Sequence, residues 1–141
     1  MNKNEFYYLS ADGKTQIHAV EWIPDVKPKA ILQIAHGVTE YILRYEQFAE
    51  YLVEKGIMVV GNDHVGHGES VVSKADWGYF MEDTPSDALV EDMNTLRSVV
   101  QKENKGVPYF MFGHSMGSYM LRKYLTLYND DLRGVVFSGT G

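Results

Sequence analysis

The chain has 141 residues, 45% of them apolar, which is enough for one hydrophobic core and a single domain over residues 1–141. Its formal charge of −6 comes from 13 Lys and Arg scattered among 19 Asp and Glu, so there is no basic stripe to neutralise a phosphate backbone and nucleic acid is not an expected partner. With no cysteine there is no disulfide framework, no thiolate nucleophile and no cysteine-based metal site, and with neither a signal-peptide apolar region nor a membrane-spanning apolar run the expectation is a soluble, cytoplasmic protein.

In chain order, FYYLS and TQIHAVEW flank ADGK, whose Asp-Gly pair suits a tight turn, and residues 5–22 read as an antiparallel hairpin. Four short apolar runs follow, AILQIA (30–35), IMVVGN (57–62), YFMF (109–112) and GVVFSG (134–139), and they read as buried strands. Between them lie helical patterns. Tyr45, Phe48, Ala49, Leu52 and Val53 recur at helical spacing up to Lys55-Gly56, where glycine can end the helix in the left-handed conformation. A second helix opens at DTPSD, with Thr84 as N-cap, Pro85 at the first helical position and Asp87 in the first turn, and carries the stripe Leu89, Met93, Leu96 and Val100. A third starts at or just after Ser115 and buries Met120, Leu121, Tyr124, Leu125 and Tyr128. Strand alternating with helix implies a mostly parallel sheet covered by helices on both faces. The seven methionines and 18 aromatic residues fall mostly on these stripes and strands, so they read as core rather than as a lipid-binding surface.

The run YFMFGHSMGSYM places Ser115 between Gly113 and Gly117 at the junction of a predicted strand and a predicted helix. A nucleophile at the apex of so sharp a turn projects above the carboxyl edge of the sheet, where a substrate can reach it. The turn strains the apex and crowds its flanks, so a Cβ two residues to either side would collide, and the two glycines avoid that. It also aims the first amides of the helix, and the positive end of its dipole, at the place where an oxyanion would form.

Three segments in order, HGVTEYILRY (36–45), DHVGHGES (63–70) and GHSMG (113–117), resemble the α/β-hydrolase fold, and within it the monoacylglycerol lipase and lysophospholipase-like group of serine hydrolases. The resemblance implies Ser115 as catalytic nucleophile and the backbone amides of Val38 and Met116 as the oxyanion hole. His36, Gly37, Gly113, His114 and Gly117 are then the motif and elbow residues that support them. Read without the resemblance, His36-Gly37 is a turn that ends a strand. Glu40, Arg44 and Tyr45 match the group, whereas Thr39 stands where it usually carries a small residue and Tyr41 where it usually carries histidine. Asp63, His64 and His67 are potential metal ligands, but their loop spacing and the lack of a further ligand cluster favour a scaffold, and no metal or cofactor is expected.

In this fold the triad follows the chain order Ser, acid, His, yet all five histidines (His18, His36, His64, His67 and His114) precede Ser115. Asp130 and Asp131 follow it but belong to the end of the sheet remote from the elbow. The resemblance covers an amino-terminal half, six strands of an expected eight, ending about where a cap or lid would be inserted. The expected function is therefore hydrolysis of small-molecule or lipid acyl esters, with acid and histidine beyond residue 141. An aminopeptidase or amidase on the same fold, or a non-catalytic truncated hydrolase acting as a binding module, are the alternatives. The sixth strand would be an open edge, available to the missing half or to self-association.

Overall fold

In the computed structural model of the protein, residues 1–70 and 86–139 are described. The first two strands, β1 (Asn2–Leu9) and β2 (Gln16–Ile23), pair antiparallel in continuous register from Asn2↔Ile23 to Leu9↔Gln16. The tight Asp-Gly turn expected between them is instead a longer loop over residues 10–15. Asp12 organises it, its Oδ1 accepting the amides of Lys14 and Thr15, both at 2.8 Å, and its Oδ2 the Thr15 hydroxyl at 2.6 Å. Gly13 takes the left-handed conformation there, with φ +79°.

Beyond the hairpin the chain forms β3 (Ala30–Ala35), a short 3-10 turn (Ile42–Tyr45), α1 (Glu46–Glu54) and β4 (Ile57–Asn62). Then come α2 (Ser86–Glu103), β5 (Tyr109–His114), α3 (Met116–Leu127) and β6 (Leu132–Ser138). Thr84 and Pro85, the expected cap of α2, lie outside the described residues, and Asp87 is in its first turn. The strands join in one sheet of order β1-β2-β4-β3-β5-β6. β2 meets β4 antiparallel, while β4, β3, β5 and β6 run parallel.

Alternate strand positions feed two cores, one on each face. Val20, Trp22, Ile34 and Val59 pack with Ala49 and Val53 of α1. On the other face Ile17, Ile31, Met58, Val60, Tyr109 and Met111 pack with α2 and α3. The predicted α2 stripe of Leu89, Met93, Leu96 and Val100 is buried throughout. Each such side chain contributes about 2 kcal/mol of transfer free energy, far more than the per-residue helix propensity.

Several boundaries and burials depart from expectation. β5 and β6 pair as far as His114↔Ser138, so β5 extends two residues past the apolar run and β6 occupies 132–138 rather than 134–139. Tyr45 belongs to the 3-10 turn, and Phe48 is 41% exposed because it lies at the rim of the α1 face, against Phe112. Leu125 and Tyr128 are only partly buried. β6 is not a fully buried strand, since among the described residues only β5 flanks it and Val136 is 53% exposed. The four parallel strands all deliver their carboxyl ends to one edge of the sheet. Residues 36–41, 63–70, Ser115 and Gly139 therefore gather there.

Candidate active site

β5 ends at His114 and α3 begins at Met116, leaving Ser115 alone to reverse the chain. It does so at φ 54°, ψ −118°, a backbone conformation that costs a non-glycine residue about 1–3 kcal/mol. Its neighbours hold it there. The Ser115 amide donates to the Ser138 carbonyl at 2.9 Å, and the Ser115 carbonyl accepts the Ser118 amide at 2.9 Å and the Ser118 hydroxyl at 2.6 Å. The flanking glycines have no space for a side chain. A Cβ on Gly113 would lie 2.6 Å from the Gly117 carbonyl oxygen, and one on Gly117 only 2.0 Å from the carbonyl oxygen of Ala35. Gly117 thus lets the first turn of α3 rest on the end of β3. Among the described residues the Ser115 hydroxyl makes no hydrogen bond.

The segment leaving β3 passes beside this serine. A Cβ on Gly37 would lie 3.2 Å from Ser115 Cβ and 2.9 Å from Glu40 Oε1. Glu40 closes the segment into a turn: its Oε1 accepts the Gly37 amide at 2.7 Å and the Tyr45 hydroxyl at 2.8 Å, and its own amide donates to the Gly37 carbonyl at 3.3 Å. Arg44 lies 3.7 Å from Glu40 Oε2. Burial alone would raise the Glu40 carboxyl, but the Gly37 amide and Tyr45 hydroxyl overcome it and hold it below its ordinary range. Glu40 takes the Gly37 amide, and the next amide along the chain is that of Val38. Among the described residues neither the Val38 nor the Met116 amide has a hydrogen-bond partner. Thr39 adopts φ +58°, where a residue without a branched Cβ fits best. Its hydroxyl donates to the Val38 carbonyl at 2.6 Å.

The buried histidines knit the loops together. His36 Nδ1–H donates to the Gly37 carbonyl at 2.7 Å and its Nε2 accepts the His64 amide at 3.0 Å, while His64 Nε2–H donates back to the His36 carbonyl at 3.1 Å. The His36 ring lies 4.1 Å from that of His64 and 5.2 Å from that of His67. Burial pushes His36 down to about 4, His64 well below its ordinary value, and His67 below it as well. All three are neutral at pH 7. His114 shares a 3.2 Å hydrogen bond with the Ser138 hydroxyl. No histidine is hydrogen-bonded to Ser115 among the described residues, and the exposed Asp130 and Asp131 precede β6 at the opposite end of the sheet.

Residues 63–70 wrap around Asp63, whose Oδ1 accepts the Ile42 amide at 2.7 Å and whose Oδ2 accepts the Glu69 amide at 3.0 Å. Sequence reasoning weighed Asp63 only as a potential metal ligand in a segment read as scaffold, assigned no role to Ser118 and gave Glu40 none beyond matching a motif. For Glu40 a signal existed: an acidic residue three positions after Gly37 has the spacing of a reciprocal side-chain and backbone clasp. For Asp63 and Ser118 the partners are set by the fold, and nothing local marks them.

A mostly parallel sheet with helices on both faces and a strained serine between its fifth strand and the following helix defines the α/β-hydrolase class. The comparisons agree: a thermostable carboxyl esterase from Bacillus coagulans superposes with a TM-score of 0.89 at 35% identity, over 97% of this chain and 44% of its own. Residues 26–141 match the family described as serine aminopeptidase, S33, and the chain belongs to that family of hydrolases. The monoglyceride lipase of Rattus norvegicus is 35% identical over 79% of this chain and 34% of its own length. The monoglyceride lipase homolog of Monkeypox virus is 36% identical over 84% and 40%. The chain thus spans less than half the length of these relatives. Among the described residues no helix is long and apolar enough to cross a membrane.

Proposed function

We propose that residues 1–141 are the amino-terminal part of a serine hydrolase domain that cleaves acyl esters of the monoacylglycerol or lysophospholipid kind. Ser115 Oγ attacks the ester carbonyl carbon, and the amides of Val38 and Met116 hold the resulting oxyanion, each donor contributing about 3 kcal/mol. A general base takes the serine proton and passes it to the departing alcohol; water then hydrolyses the acyl-serine by the same route. The base and its carboxylate partner come from residues beyond 141.

The observation that carries this reading is the strained backbone of Ser115 between two glycines that admit no side chain, with Gly37 packed against it. Ester rather than amide substrates are favoured by the relatives named as monoglyceride lipases and by the esterase likeness. The description of the matching family names an aminopeptidase, which favours an amide substrate. Rates on matched ester and amide pairs decide between them, and a preference for the amide overturns the ester assignment. The non-catalytic reading is favoured by the lack of a base hydrogen-bonded to Ser115 among the described residues.

Intact-protein mass after reaction with a fluorophosphonate tests the nucleophile, on the chain joined to its carboxy-terminal portion and on Ser115→Ala alongside. One adduct is expected, absent from the alanine variant. An adduct that survives Ser115→Ala, or none in either protein, overturns the assignment.

A further inference from the structure

A second polar cluster lies where the hairpin meets residues 63–70. His18 on β2 is 1% exposed, yet both ring nitrogens face carboxylates: Nδ1 is 2.7 Å from Asp63 Oδ2, and Nε2 is 2.7 Å from Glu5 Oε1 and 3.5 Å from Glu69 Oε2. Glu5 and Glu69 are 43% and 61% exposed, so the buried nitrogen forms the floor of a site that opens to solvent. We propose that Glu5, His18 and Glu69 bind a divalent transition-metal cation, zinc foremost, through His18 Nε2 and one oxygen from each carboxylate.

The ligand set and spacing suit that ion. The three donor atoms lie within 4.8 Å of one another, and tetrahedral zinc with bonds near 2.0–2.2 Å sets its ligands roughly 3.3–3.5 Å apart. The Glu69 oxygen is already at that distance from Nε2, and the half-exposed Glu5 side chain reaches it by withdrawing less than about 1 Å. Three protein ligands would leave a fourth position open to water.

A residue outside the triplet supplies an independent indication. Asp63 is 2% exposed and accepts the His18 Nδ1–H, fixing the ring so that Nε2 faces Glu5 and Glu69 and, once a metal displaces its proton, offers its lone pair between them. A buried carboxylate on the far nitrogen is the arrangement that orients and strengthens metal-ligating histidines. Asp63 is itself immobilised by the Ile42 and Glu69 amides, and the Tyr7 hydroxyl donates to Glu69 Oε2 at 3.2 Å. Charge points the same way. Three carboxylates meet one imidazole, and among the described residues no lysine or arginine forms an ion pair with any of them. A dication compensates this excess more fully than one proton on His18 does. Bound there, it would clamp β1 and β2 to residues 63–70 and so brace the loop that carries His64 and His67. This inference stands independently of the proposed esterase activity.

Calorimetric titration of zinc chloride into chelator-treated protein tests the site, with magnesium chloride in parallel. The expected result is one saturable zinc site with a micromolar dissociation constant, a raised melting temperature in excess zinc and no magnesium binding. Affinity should fall about tenfold or more in Glu69→Gln, Glu5→Gln and His18→Ala. The two glutamine variants alter exposed side chains, so they remain interpretable if His18→Ala fails to fold, and circular dichroism checks each. No saturable heat with zinc, or zinc binding unchanged in both glutamine variants, overturns the proposal.

Discussion

A methyl group at Gly117 would have to share space with the backbone of β3. Its nearest neighbour, the Ala35 carbonyl oxygen at 2.0 Å, cannot move aside by a change of rotamer. Gly117→Ala is therefore expected to cost about 3 kcal/mol or more, because helix and strand must separate. Gly13→Ala is the comparison: nothing surrounds that Cβ, and only the positive φ opposes it, for about 1 kcal/mol. Urea midpoints of the two variants check this, and equal losses would contradict the packing account. The G-x-S-x-G pattern made both glycines legible in advance, because a sharp turn before a helix demands them wherever it occurs. The clasp of Glu40 on Gly37, and the strain at Thr39, depend on how residues 37–41 lie against the elbow and were not legible in the same way.

Among the elements, α2 and α3 are joined by a buried cation. Arg97 on α2 donates from Nη1 to the Tyr124 hydroxyl and the Tyr128 carbonyl, both at 3.2 Å, and from Nη2 to the Asp130 carbonyl. Its guanidinium also lies 5.5 Å from the centre of the Tyr109 ring. One side chain thereby satisfies carbonyls at the end of α3, where the helix dipole favours a positive charge. Arg97→Ala should destabilise the protein by about 3 kcal/mol, and Arg97→Lys should recover only part of that, since an ammonium lacks the planar fork. Thermal melts, with hydrogen exchange over 124–130, measure it; a loss below about 1 kcal/mol for the alanine variant would show the network to be dispensable. The apolar spacing of Leu89, Met93, Leu96 and Val100 predicted the buried face of α2. It gave no hint that Arg97 is buried too, since its partners lie about thirty residues further along the chain.

For the molecule as a whole, the buried ionisable groups set the pH response. Burial holds His36 near 4, against about 6.5 in the unfolded chain, and lowers His64 and His67 in the same sense. The unfolded chain then binds more protons below pH 6.5, so their contribution to stability is complete above that pH and is lost as pH falls toward 4. Burial raises Asp92 to about 6, against the hydrogen bonds from Ser10 and Ala11, and raises Glu21 as well. These carboxyls work in the opposite sense, their contribution being present at low pH and lost as pH rises through the folded value. For His18 burial is outweighed by Asp63 and Glu5, which raise it, so its contribution is present below pH 6.5 and lost above. With three histidines against two carboxyls, stability should peak near pH 6.5 and fall by about 1 kcal/mol per unit on the acid side. Urea unfolding at pH 5.0 and 6.5 checks the sign, and equal or greater stability at pH 5.0 would refute it.

The amino-acid sequence by itself determined the alternation of strand and helix, the helix stripes and the serine elbow. Each is governed by contacts a few residues apart: side-chain period and the steric demand of one turn. Tertiary structure alone decided that β2 lies beside β4, that Gly117 meets the end of β3, and that Asp63 orients His18 toward Glu5 and Glu69. Those outcomes join residues far apart in the chain, and they exist only once the parallel strands bring their carboxyl ends to a common edge.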